Sequence, residues 1–234
     1  MIKAIATAAL LFWSSAAGVL AEGQNTVVVE LYTSQGCSSC PPADALLKRL
    51  ALRDDVIALA LHVDYWDYIG WKDNFAQPAF TKRQKAYARV AGARSIYTPQ
   101  IIIGGIAHVV GARPMDVADL VMEQKSQARS VDLKASRARE QILIRASKVA
   151  GTGQGDMIVQ LVRYIPKATV AIKTGENAGK TLEYVNVVTH LSVVGTWTGR
   201  RDLALDVPVQ GNDPAVIIVQ KADHSSILAA IKVQ

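Results

Sequence analysis

The hydrophobic periodicity of the chain changes once, and that change limits the possible folds more than any other feature. Residues 25 to about 124 alternate strand-like and helix-like segments, the pattern of an α/β sheet with some parallel strands. Thr26 to Thr33 (TVVVELYT) is β-branched and aromatic and runs into the turn Ser34-Gln35-Gly36. Pro41 to Asp44 leads into Ala45–Leu50, where apolar residues recur at helical spacing and Lys48 and Arg49 sit toward the end that the helix dipole makes favourable for cations. Val56 to Asp64 reads as a second strand, Phe75 to Ala91 as a helix, Gln100 to Ile103 as a third strand closed by Gly104-Gly105, and Met115 to Gln124 as a last helix. From Val131 onward the runs are short and alternating: VDLKASRA, QILIRASKV, DMIVQLVRY, ATVAIKTG, DLALDVPV, AVIIVQKA and ILAAIKV. Gly, Asn and Pro lie between them, which predicts an antiparallel sandwich. The expected organisation is an α/β unit over 22–127 followed by an all-β, sandwich-like unit over 128–234, with the boundary in the polar stretch Gln124-Lys125-Ser126-Gln127.

The first 21 residues are read apart from this pattern. Lys3 supplies a positive start, Ala4 to Trp13 an apolar run, and Val19-Leu20-Ala21 a small-residue cleavage site before Glu22, the layout of a secretory signal peptide. No later stretch approaches the roughly 20 apolar residues that span a bilayer. The expectation is an exported protein, periplasmic or secreted, with no membrane span after cleavage. Loss of Lys3 with the leader leaves 25 Lys and Arg against 20 Asp and Glu, a net charge of +5. So modest an excess does not imply nucleic acid as a partner, and the basic stretch Lys125 to Lys148 alternates apolar and polar residues as a solvated strand face does.

With 234 residues, half of them hydrophobic, the chain can bury a core without covalent staples. Its only two cysteines, Cys37 and Cys40, are separated by two residues and sit between a strand and a helix. At a helix start the free backbone N–H groups and the dipole stabilise an anion, so Cys37 is expected to be the thiolate nucleophile and Cys40, one turn on, the resolving thiol. Two other readings stand beside this one. A structural disulfide across so short a loop removes little entropy from the unfolded chain. Zinc needs about four ligands, and His62, His108, His190 and His224 are not at ligand spacing from the cysteines, whereas two-coordinate Cu(I) needs only the two sulfurs.

Tyr97-Thr98-Pro99-Gln100 places a proline at the mouth of an apolar strand, the one strand position that tolerates it. A cis Thr98–Pro99 peptide there would present the Thr98 backbone to a bound peptide beside the sulfurs. Asp64 to Trp71 is aromatic-rich and follows a strand, so Tyr65 and Trp66 are candidates for a hydrophobic client floor, against the plainer reading that they pack the protein's own core. Asp64, Asp67 and Asp73 lack the ordered spacing of a Ca²⁺ loop. His190, Ser192 and Asp202 come without a nucleophile elbow, and Gly175 to Lys180 reads as turn chemistry and not a phosphate loop.

Strand, CxxC, helix and later a cis-proline strand, in that order, resemble the thioredoxin superfamily. The chain is most similar to an exported family with a thioredoxin-like domain and an all-β C-terminal extension, of DUF1223 type. The resemblance is carried by VVVELYTSQGCSSCPPAD (Val27 to Asp44), HVDYWDYIGWKDNFA (His62 to Ala76), YTPQIIIGG (Tyr97 to Gly105) and GENAGKTL (Gly175 to Leu182). It implies an α/β thioredoxin-like N-terminal domain followed by an all-β C-terminal domain. Gly36 stands where thioredoxins usually have Trp and Ser38-Ser39 replaces Gly-Pro, so potential and clients are not inherited. Thioredoxins keep a buried carboxylate behind the second cysteine; here Glu30, the only acidic residue on the preceding strand, fills that role if the strand-to-helix turn is one residue longer, against the plainer reading of a solvent-facing edge glutamate. The resulting expectation is an exported thiol–disulfide oxidoreductase, with Cys37, Cys40 and Glu30 catalytic and Thr98, Pro99, Tyr65 and Trp66 binding substrate. It needs no metal and no organic cofactor, and its partners are disulfide-containing proteins or small thiols and a redox partner protein. The alternatives are a non-enzymatic binding or assembly module and an exported Cu(I) carrier.

Overall fold

The structure is a computed structural model that describes residues 21–22, 26–153 and 155–233. All but Ala21 of the expected leader lies outside the described residues. The chain runs β1 (Ala21–Glu22), β2 (Val27–Thr33), α1 (Pro41–Leu50), β3 (Val56–His62), α2 (Pro78–Val90), β4 (Gln100–Ile103), β5 (Ala107–Val110) and α3 (Pro114–Ser126). It continues as β6 (Val131–Ala138), β7 (Gln141–Lys148), β8 (Met157–Ala171), β9 (Thr181–Trp197), β10 (Leu203–Pro208), β11 (Ala215–Lys221) and β12 (Ile227–Val233). Among the described residues no helix is long and apolar enough to cross a membrane.

Eight of these strands form one mixed sheet in the order β12-β11-β8-β9-β3-β2-β4-β5, and β1, β6, β7 and β10 form a second sheet. The join is between β3 and β9, which run parallel with Ala60 opposite Val187. Beside it Asn186, with φ 48°, donates its side-chain N–H to the Ala58 carbonyl at 2.9 Å. The expected fold, a thioredoxin-like α/β domain followed by a separate all-β sandwich, is therefore incorrect: the late strands extend the sheet that the early strands begin.

The packing explains this continuity. On β2 and β3 the residues alternate between two faces: Val27, Val29, Leu31, Val56, Ala58 and Ala60 pack with α1 and α3, while Val28, Tyr32, Ile57, Leu59 and Leu61 pack with α2. The run AVIIVQ of β11 is buried on both sides, with Ile217 and Val219 facing the second sheet and Val216 and Ile218 facing the α2 side. Strands covered on both faces read as unbroken apolar runs. The four-stranded sheet thus closes a core against Met157, Val159, Leu161, Ile217 and Ile231 of the large sheet.

The β8–β9 hairpin was the least legible element. Its 15- and 17-residue strands pair from Met157–Trp197 out to Ala171–Thr181, with register shifts at Val159/Gln160 and Arg163/Tyr164. Pro166 falls between the pairs Ile165–Val187 and Lys167–Val185, which splits the sequence signal of β8 into two shorter runs. Beyond the sheet the hairpin carries on along α1, where Glu183 forms ion pairs with Lys48 and with Lys167.

Candidate functional site

Cys37 and Cys40 are joined in a disulfide with a Cα–Cα distance of 5.4 Å. The loop is a pair of tight turns, with the Cys37 N–H donating to Ser34 O at 3.1 Å and the Cys40 N–H to Cys37 O at 3.2 Å. Cys40 is the N-cap of α1, and the next two residues are Pro41 and Pro42. Prolines suit a first helical turn because they lack an N–H, and here their presence removes two of the donors expected to stabilise a thiolate. The next two, on Ala43 and Asp44, both donate to the Cys40 carbonyl. What the helix offers the sulfurs is its dipole, not a set of free N–H groups.

Both sulfur residues are buried, Cys37 at 1% and Cys40 at 0% exposure, while Ser38 and Ser39 between them are exposed. Thr174 to Lys180, the tip joining β8 to β9, is hydrogen-bonded to this loop. The Asn177 carboxamide donates to Gln35 O and to Cys37 O, each at 2.9 Å, and Lys180 Nζ donates to its Oδ1 at 2.8 Å. The Ser38 N–H donates to Glu176 Oε2 at 3.3 Å, and Thr174 Oγ1 to Gly70 O at 2.5 Å. At Gly175, with φ +78°, an added Cβ would stand 3.1 Å from Trp71 Cβ, so this backbone approach favours glycine.

The sequence-predicted substrate residues gather on the same end of the sheet. The Trp66 indole N–H donates to Thr98 Oγ1 at 2.7 Å, and a Cβ at Gly36 would lie 3.4 Å from Trp66 Cβ. Trp66 therefore bridges the cysteine loop and the start of β4. Tyr65 lies against Trp66, with ring centroids 6.2 Å apart, and donates to Gln84 Oε1 at 3.2 Å; burial pushes its phenol up to about 12. Thr98–Pro99 is a cis peptide, and a Cβ at Gly111 would meet Ala43 of α1 at 2.8 Å and Pro99 at 3.1 Å. Pro99 is thus close to the first turn of α1.

Glu30 is elsewhere. Even-numbered β2 residues face α2, the side of the sheet opposite α1, so a longer strand-to-helix turn cannot bring its carboxylate behind Cys40. It is fully buried, accepts from Arg83 Nε at 2.8 Å and from Tyr87 Oη at 2.5 Å, and belongs to a network closed by Gln160 and Gln220. Glu30, expected as the catalytic carboxylate behind Cys40, is held instead by Arg83 and Tyr87.

A different carboxyl lies beside Cys40. Asp44 follows it by one helical turn, so the two share a face of α1, and its backbone N–H reaches Cys40 O at 3.1 Å. Thr33 Oγ1 donates to Asp44 Oδ1 at 2.9 Å. Burial pushes the carboxyl up to about 7, against the pull of His62 and the Thr33 hydrogen bond. His62, at the end of β3, pairs through Nδ1 with Asp73 Oδ2 at 2.7 Å, and its ring meets Phe75 and Tyr184 edge-on. Asp73 in turn accepts from the Gln35 N–H at 2.8 Å. Asp44 Oδ2, His62 Nε2 and Tyr184 Oη are buried without a hydrogen-bond partner, an exception to the usual pairing of buried polar atoms.

Sequence reading did not single out Asp44 or Asn177. Asp44 shows as a first-turn acid, common at any helix start, and Asn177 as a turn residue; both become significant only when β9 lies across α1. Among the described residues no group of three or more His, Cys, Asp or Glu side chains is arranged to hold a metal.

Comparison with known proteins agrees with this architecture. A crystal structure of a protein from Agrobacterium tumefaciens is similar at 31% identity, with a TM-score of 0.76, covering 91% of this chain and 95% of its own. HBP35 of Porphyromonas gingivalis shares the fold at 14% identity, with a TM-score of 0.60 over 90% of this chain and 75% of its own. A search of curated proteins found no match. The family model described as "Protein of unknown function (DUF1223)" matches residues 28–220, and the chain belongs to that family.

Proposed function

We propose that the Cys37–Cys40 pair is a reversible redox couple and that the protein is an exported thiol–disulfide oxidoreductase. The observation that carries this reading is a disulfide at the cap of α1 with a proton-binding carboxyl one turn behind it. A bridge between residues three apart adds little to stability, which makes reactivity the better account of it. In the reductive direction the Cys37 thiolate attacks a client disulfide; the client S–S bond breaks, one client thiolate leaves, and a mixed disulfide forms. Cys40 then gives its proton to the Asp44 carboxylate and attacks Cys37 Sγ, which breaks the mixed disulfide, re-forms the Cys37–Cys40 bond and releases the second client sulfur as a thiolate, to which Asp44 can return the proton. The oxidative direction is the reverse of these steps. A carboxyl with a pKa near 7 takes and returns a proton at neutral pH with little driving force lost. Trp66, Tyr65, Thr98 and Pro99 form the neighbouring surface for a client, and a redox partner protein resets the couple.

The test is the reduction potential of the pair together with exchange kinetics in wild type and Cys37→Ser. A potential above about −300 mV, with exchange abolished in the variant, supports the reading. A lower potential with no exchange assigns the bridge a structural role, and tight Cu(I) binding lost in Cys37→Ser assigns it to metal carriage.

A further inference from the structure

A redox couple has to be reached, yet neither sulfur residue of this one is more than 1% exposed. One short segment reaches the cysteine loop from the far end of the β8–β9 hairpin and bonds the Gln35 and Cys37 carbonyls and the Ser38 N–H. Thr174–Lys180 projects past the last paired residues of β8 and β9, Ala171 and Thr181, and closes on itself through Gly179 N–H to Ile172 O at 2.8 Å, Ala178 N–H to Gly175 O at 3.1 Å and Lys180 N–H to Asn177 O at 3.1 Å. Within it Thr174, Glu176, Ala178, Gly179 and Lys180 are exposed, and Asn177 alone is buried. The tip is therefore a unit with its own hydrogen bonds, held to the cysteine loop mainly by one side chain.

We propose that this tip is a size gate: it admits low-molecular-weight thiols and disulfides to Cys37 and holds protein thiols off until Asn177 releases the Gln35 and Cys37 carbonyls. This deepens the oxidoreductase reading and rests on it. Attack on a disulfide requires a sulfur nucleophile to reach one of the bonded sulfurs. The entry assigned to a small thiol is the Ser38-Ser39 step, the exposed part of the loop, where the tip is held by the 3.3 Å hydrogen bond from the Ser38 N–H to Glu176. A protein thiol brings its own backbone and has to displace the whole tip. That displacement breaks both Asn177 bonds and the Thr174 bond to Gly70 O. Lys180 fixes the orientation of the gate residue, because its ammonium on Asn177 Oδ1 turns the amide N–H groups toward the two carbonyls. Local openings of this kind cost less than global unfolding and are set by the few contacts they break.

The experiment measures, on the full mature chain, the rate of Cys37–Cys40 reduction by glutathione and by a reduced, unfolded protein dithiol, in wild type and in Asn177→Ala. In wild type the small thiol is faster by about tenfold or more per thiolate; Asn177→Ala speeds the protein dithiol by about tenfold, the equivalent of ~1.4 kcal/mol of opening, and glutathione by less. The double variant Thr174→Val/Glu176→Ala, changed only at exposed positions, is expected to narrow the ratio in the same direction if Asn177→Ala does not fold. A ratio unchanged in a folded variant overturns the gate and leaves the oxidoreductase reading standing. No exchange with either thiol in any variant removes that reading, and the gate with it.

Discussion

Asn177 donates to the backbone carbonyl of Cys37 at 2.9 Å across 140 residues of sequence. Its second N–H takes the Gln35 carbonyl at the same distance, so one buried carboxamide ties the β8–β9 tip to both sides of Gly36. Removing it leaves two carbonyls without that donor in a covered loop, which costs about 2–4 kcal/mol. Urea unfolding of Asn177→Ala should show a loss of that size, whereas Lys180→Ala, changed at an exposed residue that only orients the amide, should lose about 1 kcal/mol or less.

The buried Asp44 carboxyl makes stability depend on pH in the direction opposite to a salt-bridged acid. Its pKa is raised from 3.8 to about 7 in the folded state, so the folded chain binds the proton more tightly than the unfolded chain. The contribution is fully present below about pH 4 and is lost as pH rises through 7, with a total on the order of 4 kcal/mol. Asp44→Asn keeps an oxygen for Thr33 Oγ1 and does not ionise. Paired denaturation curves from pH 4 to 8 should therefore show the variant gaining on wild type as pH increases; parallel curves would place the titrating group elsewhere.

Glu30 and Arg83 form a buried ion pair, with Arg83 Nε 2.8 Å from Glu30 Oε1 and both side chains almost fully covered. Arg83→Met leaves the carboxylate buried without its counter-ion, keeping the Tyr87 hydroxyl as a donor, and a loss of about 3–5 kcal/mol is expected. Replacing both partners with apolar residues should cost less than the sum of the single changes, which a double-mutant cycle reads directly. Because Glu30 faces α2 and not α1, Glu30→Gln should leave the pH profile of Cys37–Cys40 exchange unaltered.

Trp66 is oriented by one hydrogen bond, to Thr98 Oγ1 at 2.7 Å. Thr98→Val keeps the shape and removes the acceptor, for an expected loss of about 1–2 kcal/mol. The indole is only partly buried, so the change should also appear as altered tryptophan emission without a change in the far-ultraviolet spectrum.

Local elements were legible wherever periodicity and punctuation agreed. The expected strands at 26–33, 56–64 and 100–103 correspond to β2, β3 and β4, and the runs at 131–138, 215–222 and 227–233 to β6, β11 and β12. Helix α1 followed from the proline pair and the spacing of Leu46, Leu47 and Leu50. β5 and β9 went unread. β5 (AHVV) lacks the unbroken apolar run that marks the equally short β4 (QIII), and β9 (TLEYVNVVTHLSVVGTW) changes which side it buries along its length, so no single period describes it.

By itself the sequence determined the disulfide-forming pair at a strand-to-helix turn, because residue spacing and helix entry are properties of a few neighbours. It could not determine that the sheet continues from β3 into β9, since one parallel register, Ala60 opposite Val187, leaves no mark in either strand alone. Nor could it tell on which side of β2 a carboxylate would serve: Glu30 and Asp44 are both acids near the cysteines in sequence, and strand alternation sends one toward α2 while the helix carries the other behind Cys40. Those assignments depend on distant surfaces meeting, which only the folded chain brings about.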